Sequence, residues 1–130
     1  MRYDEFLARV RERGEYANQD EAAQVTAAVL QVLAHRITPG EVKDLASQLS
    51  GPLKEALEIN GDRRAESYGV EEFCRRIGER TGAHTRTAQW DASAVLSTLA
   101  DAVSPGELNQ VISQLPSGYA VLFGKPDLSD

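Results

Sequence analysis

Two histidines, one cysteine, one tryptophan and a run of arginines are the side chains of this chain that could do chemistry. His35 falls at the C-terminal end of a long apolar-periodic segment, where a cation suits the helix dipole. The equivalent position of a later, similar segment is Asp101, so the imidazole is not repeated. His84 sits in a loop just before a helical segment. Neither belongs to an HxxxH or His-x-x-Glu spacing, and a metal site needs further convergent ligands, so both read as structural or surface groups. Cys74 alone makes no intramolecular disulfide and no cysteine zinc site. Its place in an apolar stripe reads as a small buried residue. A reactive thiol would need exposure and a depressed pKa, a reading that Arg75 and Arg76 beside it leave open.

The arginines at 63, 64, 75, 76, 80 and 86 are interleaved with Asp62, Glu66, Glu71, Glu72 and Glu79. That mixture predicts a solvated face of ion pairs such as Glu72–Arg76 rather than an anion site. No nucleophile–base pair, P-loop or glycine-rich dinucleotide motif is present. No catalytic residue, cofactor-binding residue, metal ligand or cofactor is therefore expected. Trp90 stands apart, because the equivalent position of the earlier segment is Gln24. A tryptophan special to one segment suits packing between segments, or a binding hot spot. Tyr119 and Phe123, near the C-terminal end, join it as possible interaction residues.

Net charge is −6 with a pI near 4.9. Phosphate binding is dominated by Lys and Arg, so neither nucleic acid nor anionic membrane is an expected partner. The helix–turn–helix look of residues 25–49 does not change this, since Glu41, Lys43, Asp44, Ser47 and Gln48 suit a major groove poorly. No apolar run approaches the roughly 20 residues of a membrane span, and no secretory h-region is visible. A cytoplasmic protein follows as the expectation.

The elements that must position these side chains are organised by a recurrence. Thr38-Pro39-Gly40-Glu41 runs to Ser47-Gln48-Leu49, and Ser104-Pro105-Gly106-Glu107 runs to Ser113-Gln114-Leu115. Each reads as a helix start: a hydroxyl at the N-cap, proline at N1 and glutamate at N3, completing a capping box. Ile37 with Val42, and Val103 with Leu108, form hydrophobic staples.

Around this pair the whole chain repeats. Tyr3, Phe6, Leu7 and Val10 share the i, i+3, i+4, i+7 spacing of one helix face with Val70, Phe73, Cys74 and Ile77. Gly14 is the expected stop of the first helix. Asn18 caps a long helix whose apolar stripe is Ala22, Val25, Thr26, Val29, Leu30, Leu33 and Ile37. Its counterpart carries Ala88, Ala92, Val95, Leu96, Leu99 and Val103. Leu53 and Leu57 mark a short fourth helix, and Tyr119 and Phe123 stand where they stood. The offset is 67 at the first helix and 66 afterwards, with about a dozen identities between Ala22 and Leu57.

The spacing predicts an all-α fold. Two tandem repeats, each of three long helices plus a short one, pack with pseudo-two-fold symmetry into one bundle-like domain. Residues 1–58 form the first repeat, 59–69 a linker, 70–123 the second repeat and 124–130 a flexible tail. Each copy is too small to bury a stable core alone.

The Asp4-Glu5-Phe6-Leu7 opening, the two Pro-Gly-Glu starts, and Gln114-Leu115-Pro116 with Tyr119 and Leu122-Phe123 together resemble the bacterial domain of unknown function 2267 family. The resemblance covers residues 1–123. It implies a duplicated, all-helical fold in a bacterial cytoplasmic protein and implies no activity. The leading functional expectation is a non-enzymatic interaction or regulatory module with a protein partner. The alternative is a helical domain holding a small apolar ligand in a closed cavity between the copies, and an enzyme comes third.

Overall fold

The computed structural model describes residues 1–58 and 64–124, apart from the side chains of residues 85 and 86. Among these the chain is all-helical. Its elements are α1 (Tyr3–Gly14), α2 (Gln19–Arg36), α3 (Pro39–Ser47), α4 (Pro52–Leu57), α5 (Val70–Thr81), α6 (Thr85–Ala102), α7 (Pro105–Ser113) and a 3₁₀ helix (Ser117–Phe123). The expected flexible tail beyond Gly124, and residues 59–63 of the expected linker with Asp62 and Arg63, lie outside the described residues.

Helix starts follow their capping chemistry. Asn18 accepts the Glu21 N–H at 2.9 Å. Thr38 Oγ1 accepts the Glu41 N–H at 3.3 Å, and Ser104 Oγ accepts that of Glu107 at 3.2 Å. The second half of the expected capping box at α3 and α7 is replaced. The Thr38 N–H donates to Gln114 Oε1, and the Ser104 N–H to Gln48 Oε1, each at 2.8 Å. Gln114 Nε2 also donates to Thr38 Oγ1, and Gln48 Nε2 to Ser104 Oγ, at 3.0 and 3.2 Å. A neutral amide offers both a donor and an acceptor, so it satisfies two groups of the cap where a glutamate would satisfy one. The Glu41 and Glu107 carboxyls are released from capping.

Two other expectations are corrected. Gly14 is the last residue of α1, and the left-handed turn falls on Glu15 at φ 55°. Gly14 is required for another reason: a Cβ there would meet the Tyr16 ring at 2.1 Å. The short segment after α7 is a 3₁₀ helix rather than a counterpart α-helix. The glycine stop after α5 does fall in the left-handed region, at Gly82 with φ 78°.

α2 and α6 form the centre. Ten of the 18 residues of α2 are buried, including Ala28, Val32 and Ala34 outside the expected stripe. A helix buried so widely must be covered on several sides. α2 packs against α1, α4, α5 and α6, and α6 against α1, α2, α5 and the 3₁₀ helix. Leu30, Leu33, Leu96 and Leu99 fill the centre; truncating such a leucine to alanine costs about 2–5 kcal/mol. α3 meets α7 separately. Arg13 ties α1 to α6 through Asp101 at 2.6 Å and Thr98 at 3.2 Å.

Candidate functional site

Trp90 projects from α6 beside the end of α1. Its indole N–H donates to the Gly14 carbonyl at 3.0 Å, while 52% of the residue remains exposed. The α1–α2 turn brings Tyr16 against the same helix, where its hydroxyl donates to Asp91 Oδ1 at 2.6 Å. Tyr16 reaches that position only because Gly14 has no side chain. Burial, then the carboxylate acceptor, push the Tyr16 phenol above its ordinary value. Burial likewise pushes Asp91 up, against the Tyr16 hydrogen bond that favours its charge. The result is a cleft of about 450 Å³ with Trp90, Asp91, Glu15, Glu21 and Arg80 among its walls. Gln24 and Trp90, Val25 and Asp91, and Glu21 and Thr87 are pairs 66 positions apart, and all six residues line it.

The other expected interaction residues are not at the surface. Tyr119 and Phe123 are core side chains. The Tyr119 ring packs edge-on against Phe73, centroids 5.2 Å apart. Its hydroxyl donates to the Tyr68 carbonyl at 2.9 Å and accepts from Arg36 Nε at 3.2 Å. Aromatic rings at the end of a small bundle are needed to close its core, and this outweighs display. The exposed apolar residue of that segment is Val121.

The remaining candidates take the plainer of their readings. His35 Nδ1–H donates to the Gln31 carbonyl at 2.8 Å within its own helix. His84 is the exposed N-cap residue of α6, without a side-chain cap bond. Cys74 is buried, and burial pushes its thiol up to about 11, so thiolate is scarce at neutral pH. Arg75 pairs with Glu72 and Glu79, and Arg76 with Glu72 and Glu66. Arg76 also lies 4.1 Å over the Tyr68 ring. Arg63 and the Arg86 side chain lie outside the described residues. The open clefts include one of about 470 Å³ bounded by His35, Tyr68 and these arginines.

Two groupings were not anticipated. One is Tyr16 with Asp91, joined across 75 positions. The other is Glu41 with Glu107 at the meeting of α3 and α7. Both are buried, and the Oε2 atom of each has no hydrogen-bond partner among the described residues. Burial, then the hydrogen bond and charge of Glu41, push Glu107 up to about 7. The signal for this second grouping was in the repeat itself, whose shared positions include polar Glu and Gln as well as core residues.

A protein-family model described as "Uncharacterized conserved protein (DUF2267)" matches residues 3–122. No curated protein matches the chain.

Proposed function

The chain belongs to the DUF2267 family, and from that premise we propose that it is a non-enzymatic interaction module of the bacterial cytoplasm. Its cleft beside Trp90 takes a lysine or arginine side chain from a protein partner. One observation carries this: a half-exposed indole, held in place by the Gly14 carbonyl, stands over a cleft whose described charged lining residues are Glu15, Glu21 and Asp91 against Arg80. A cation over an indole face gains roughly 0.5–2 kcal/mol, and flanking carboxylates add charge complementarity. The anchoring bond leaves few indole rotamers to be lost on docking, which favours a hot-spot role.

The same reading holds that the domain is two copies related by a pseudo-two-fold axis, with the cleft where they meet. Three features support it. Helices of 12, 18 and 9 residues recur in the same order. α1 packs on α6 as α5 packs on α2. Gln48 and Gln114 each bond the other copy's cap. The pairs lining the cleft differ between copies, Trp90 against Gln24 and Asp91 against Val25, so the partner meets an asymmetric surface.

Trp90 is the single tryptophan, so its fluorescence reports the cleft directly. Capped Gly-Arg-Gly and Gly-Lys-Gly should produce a saturable change that Asp91→Asn weakens, while capped Gly-Glu-Gly produces none. Equal responses to the cationic and anionic peptides would end the proposal.

A further inference from the structure

The Glu41–Glu107 grouping raises a question that capping does not answer. Glu41 is 6% exposed and Glu107 9%. One oxygen of each is sealed from solvent with no hydrogen-bond partner among the described residues. An unpaired buried polar atom is expensive, and a buried carboxylate more so. Glutamate at N3 of a helix is ordinarily explained by its bond back to the N-cap N–H. Here Gln114 and Gln48 hold those N–H groups. The carboxylates are therefore buried for another reason.

We propose that Glu41, Glu107 and Asp44 bind one hard divalent cation between α3 and α7. One carboxylate oxygen from each of the three lies within 4.8 Å of the other two. An ion about 2.0–2.6 Å from its oxygen ligands holds those oxygens roughly 3–5 Å apart. The donors are all oxygen, which selects Mg²⁺, Ca²⁺ or Mn²⁺ over softer metals. Asp44 is exposed, so the ion keeps water on that side, as these cations commonly do.

The simpler arrangement is a proton shared by the two glutamates. It neutralises one charge and leaves the other buried, whereas a divalent ion meets both charges. Asp44 has Gln110 as its counterpart 66 positions on, so the grouping offers one site rather than two. The ion clamps α3 to α7, joining the two halves of the chain.

The test uses the full chain stripped with EDTA and titrated with Mn²⁺ alone, free Mn²⁺ being read by electron paramagnetic resonance. Ca²⁺ and Mg²⁺ are then added as separate competitors. One Mn²⁺ per chain is expected, with saturation below about 1 mM and displacement by at least one competitor. Glu107→Gln and the surface change Asp44→Asn should each weaken binding about tenfold or more. Asp44→Asn touches no buried contact, so it reads the site even where Glu107→Gln fails to fold. Absence of saturable binding, or binding equally strong in Asp44→Asn, would overturn the proposal. So would diffuse uptake of several ions per chain.

Discussion

Gln114 spans the start of α3, its Oε1 accepting from the Thr38 N–H at 2.8 Å and its Nε2 donating to Thr38 Oγ1 at 3.0 Å. The two residues are 76 positions apart. A helix cap, usually a local device, is here a tertiary contact. It links sequence to fold twice, because Gln48 does the same for Ser104.

Gln114→Ala should therefore lose about 1–2 kcal/mol, combining part of a cap with two hydrogen bonds at a partly solvated site. Gln48→Ala should lose a similar amount if the two halves are equivalent. Urea unfolding with an unchanged m-value checks both. A loss confined to one of the two would contradict the proposed pseudo-symmetry.

Tyr119→Phe removes one oxygen from the fully buried end of the core. That oxygen serves the Tyr68 and Gly69 carbonyls at 2.9 and 3.2 Å and accepts from the buried Arg36. The expected loss is about 0.5–1.5 kcal/mol, since Arg36 Nε keeps its own bond to the Tyr68 carbonyl at 3.0 Å. The segment before α5 should loosen with it. Hydrogen exchange at the Glu66 N–H, which donates to the His35 carbonyl at 3.1 Å, should accelerate in the variant more than exchange in α1.

Glu72 makes a prediction about acid. Its hydrogen bonds to Arg75 at 2.7 Å and to Arg76 at 2.9 Å hold its carboxyl down at about 2. The folded value lies below the unfolded one of about 4.3, so the unfolded chain binds more protons between them. The stabilisation is present above the unfolded value and fades as pH falls toward 2. The denaturation midpoints of the protein and of Glu72→Gln should differ near neutral pH and converge on acidification. Salt should shrink the difference, because the pairs are solvent-accessible. A difference that grows with acid would reverse the sign and refute the assignment.

Local rules made much of the fold legible. The 3.6-residue spacing of Phe6, Leu7 and Val10, the Asn18 cap and the Pro39 and Pro105 starts depend on neighbours within one turn, and each element forms where they place it. What could not be read was what a polar side chain does once helices meet. Glu41 satisfies every local condition for a capping box, yet Gln114, from α7's C-terminal end, occupies the N–H it would have bonded. Tyr119 and Phe123 could have been displayed or buried on composition alone. The arrival of Phe73 against Tyr119 decides it. Trp90 stands out in the sequence because its counterpart is Gln24, but its partner, the Gly14 carbonyl, depends on α1 ending beside α6.

Gly14 joins these observations into one last expectation. It is the last residue of α1, in a conformation open to alanine, which helices favour by about 1 kcal/mol. A Cβ, however, would stand 2.1 Å from Cε2 and 2.4 Å from Cζ of Tyr16. Gly14→Ala must therefore expel the Tyr16 ring, break its 2.6 Å bond to Asp91 and leave a buried carboxylate without its donor. A net loss of about 1–3 kcal/mol is expected, against the gain that helix propensity alone would give. The Trp90 emission should shift as well, since the displaced Tyr16 ring shares the cleft wall with the indole. Tyr16→Phe separates the two effects, keeping the ring and losing only the hydroxyl, and should destabilise without moving the tryptophan spectrum. If Gly14→Ala proved stabilising with an unchanged spectrum, the ring would have another place to go, and the account of the cleft wall would be wrong.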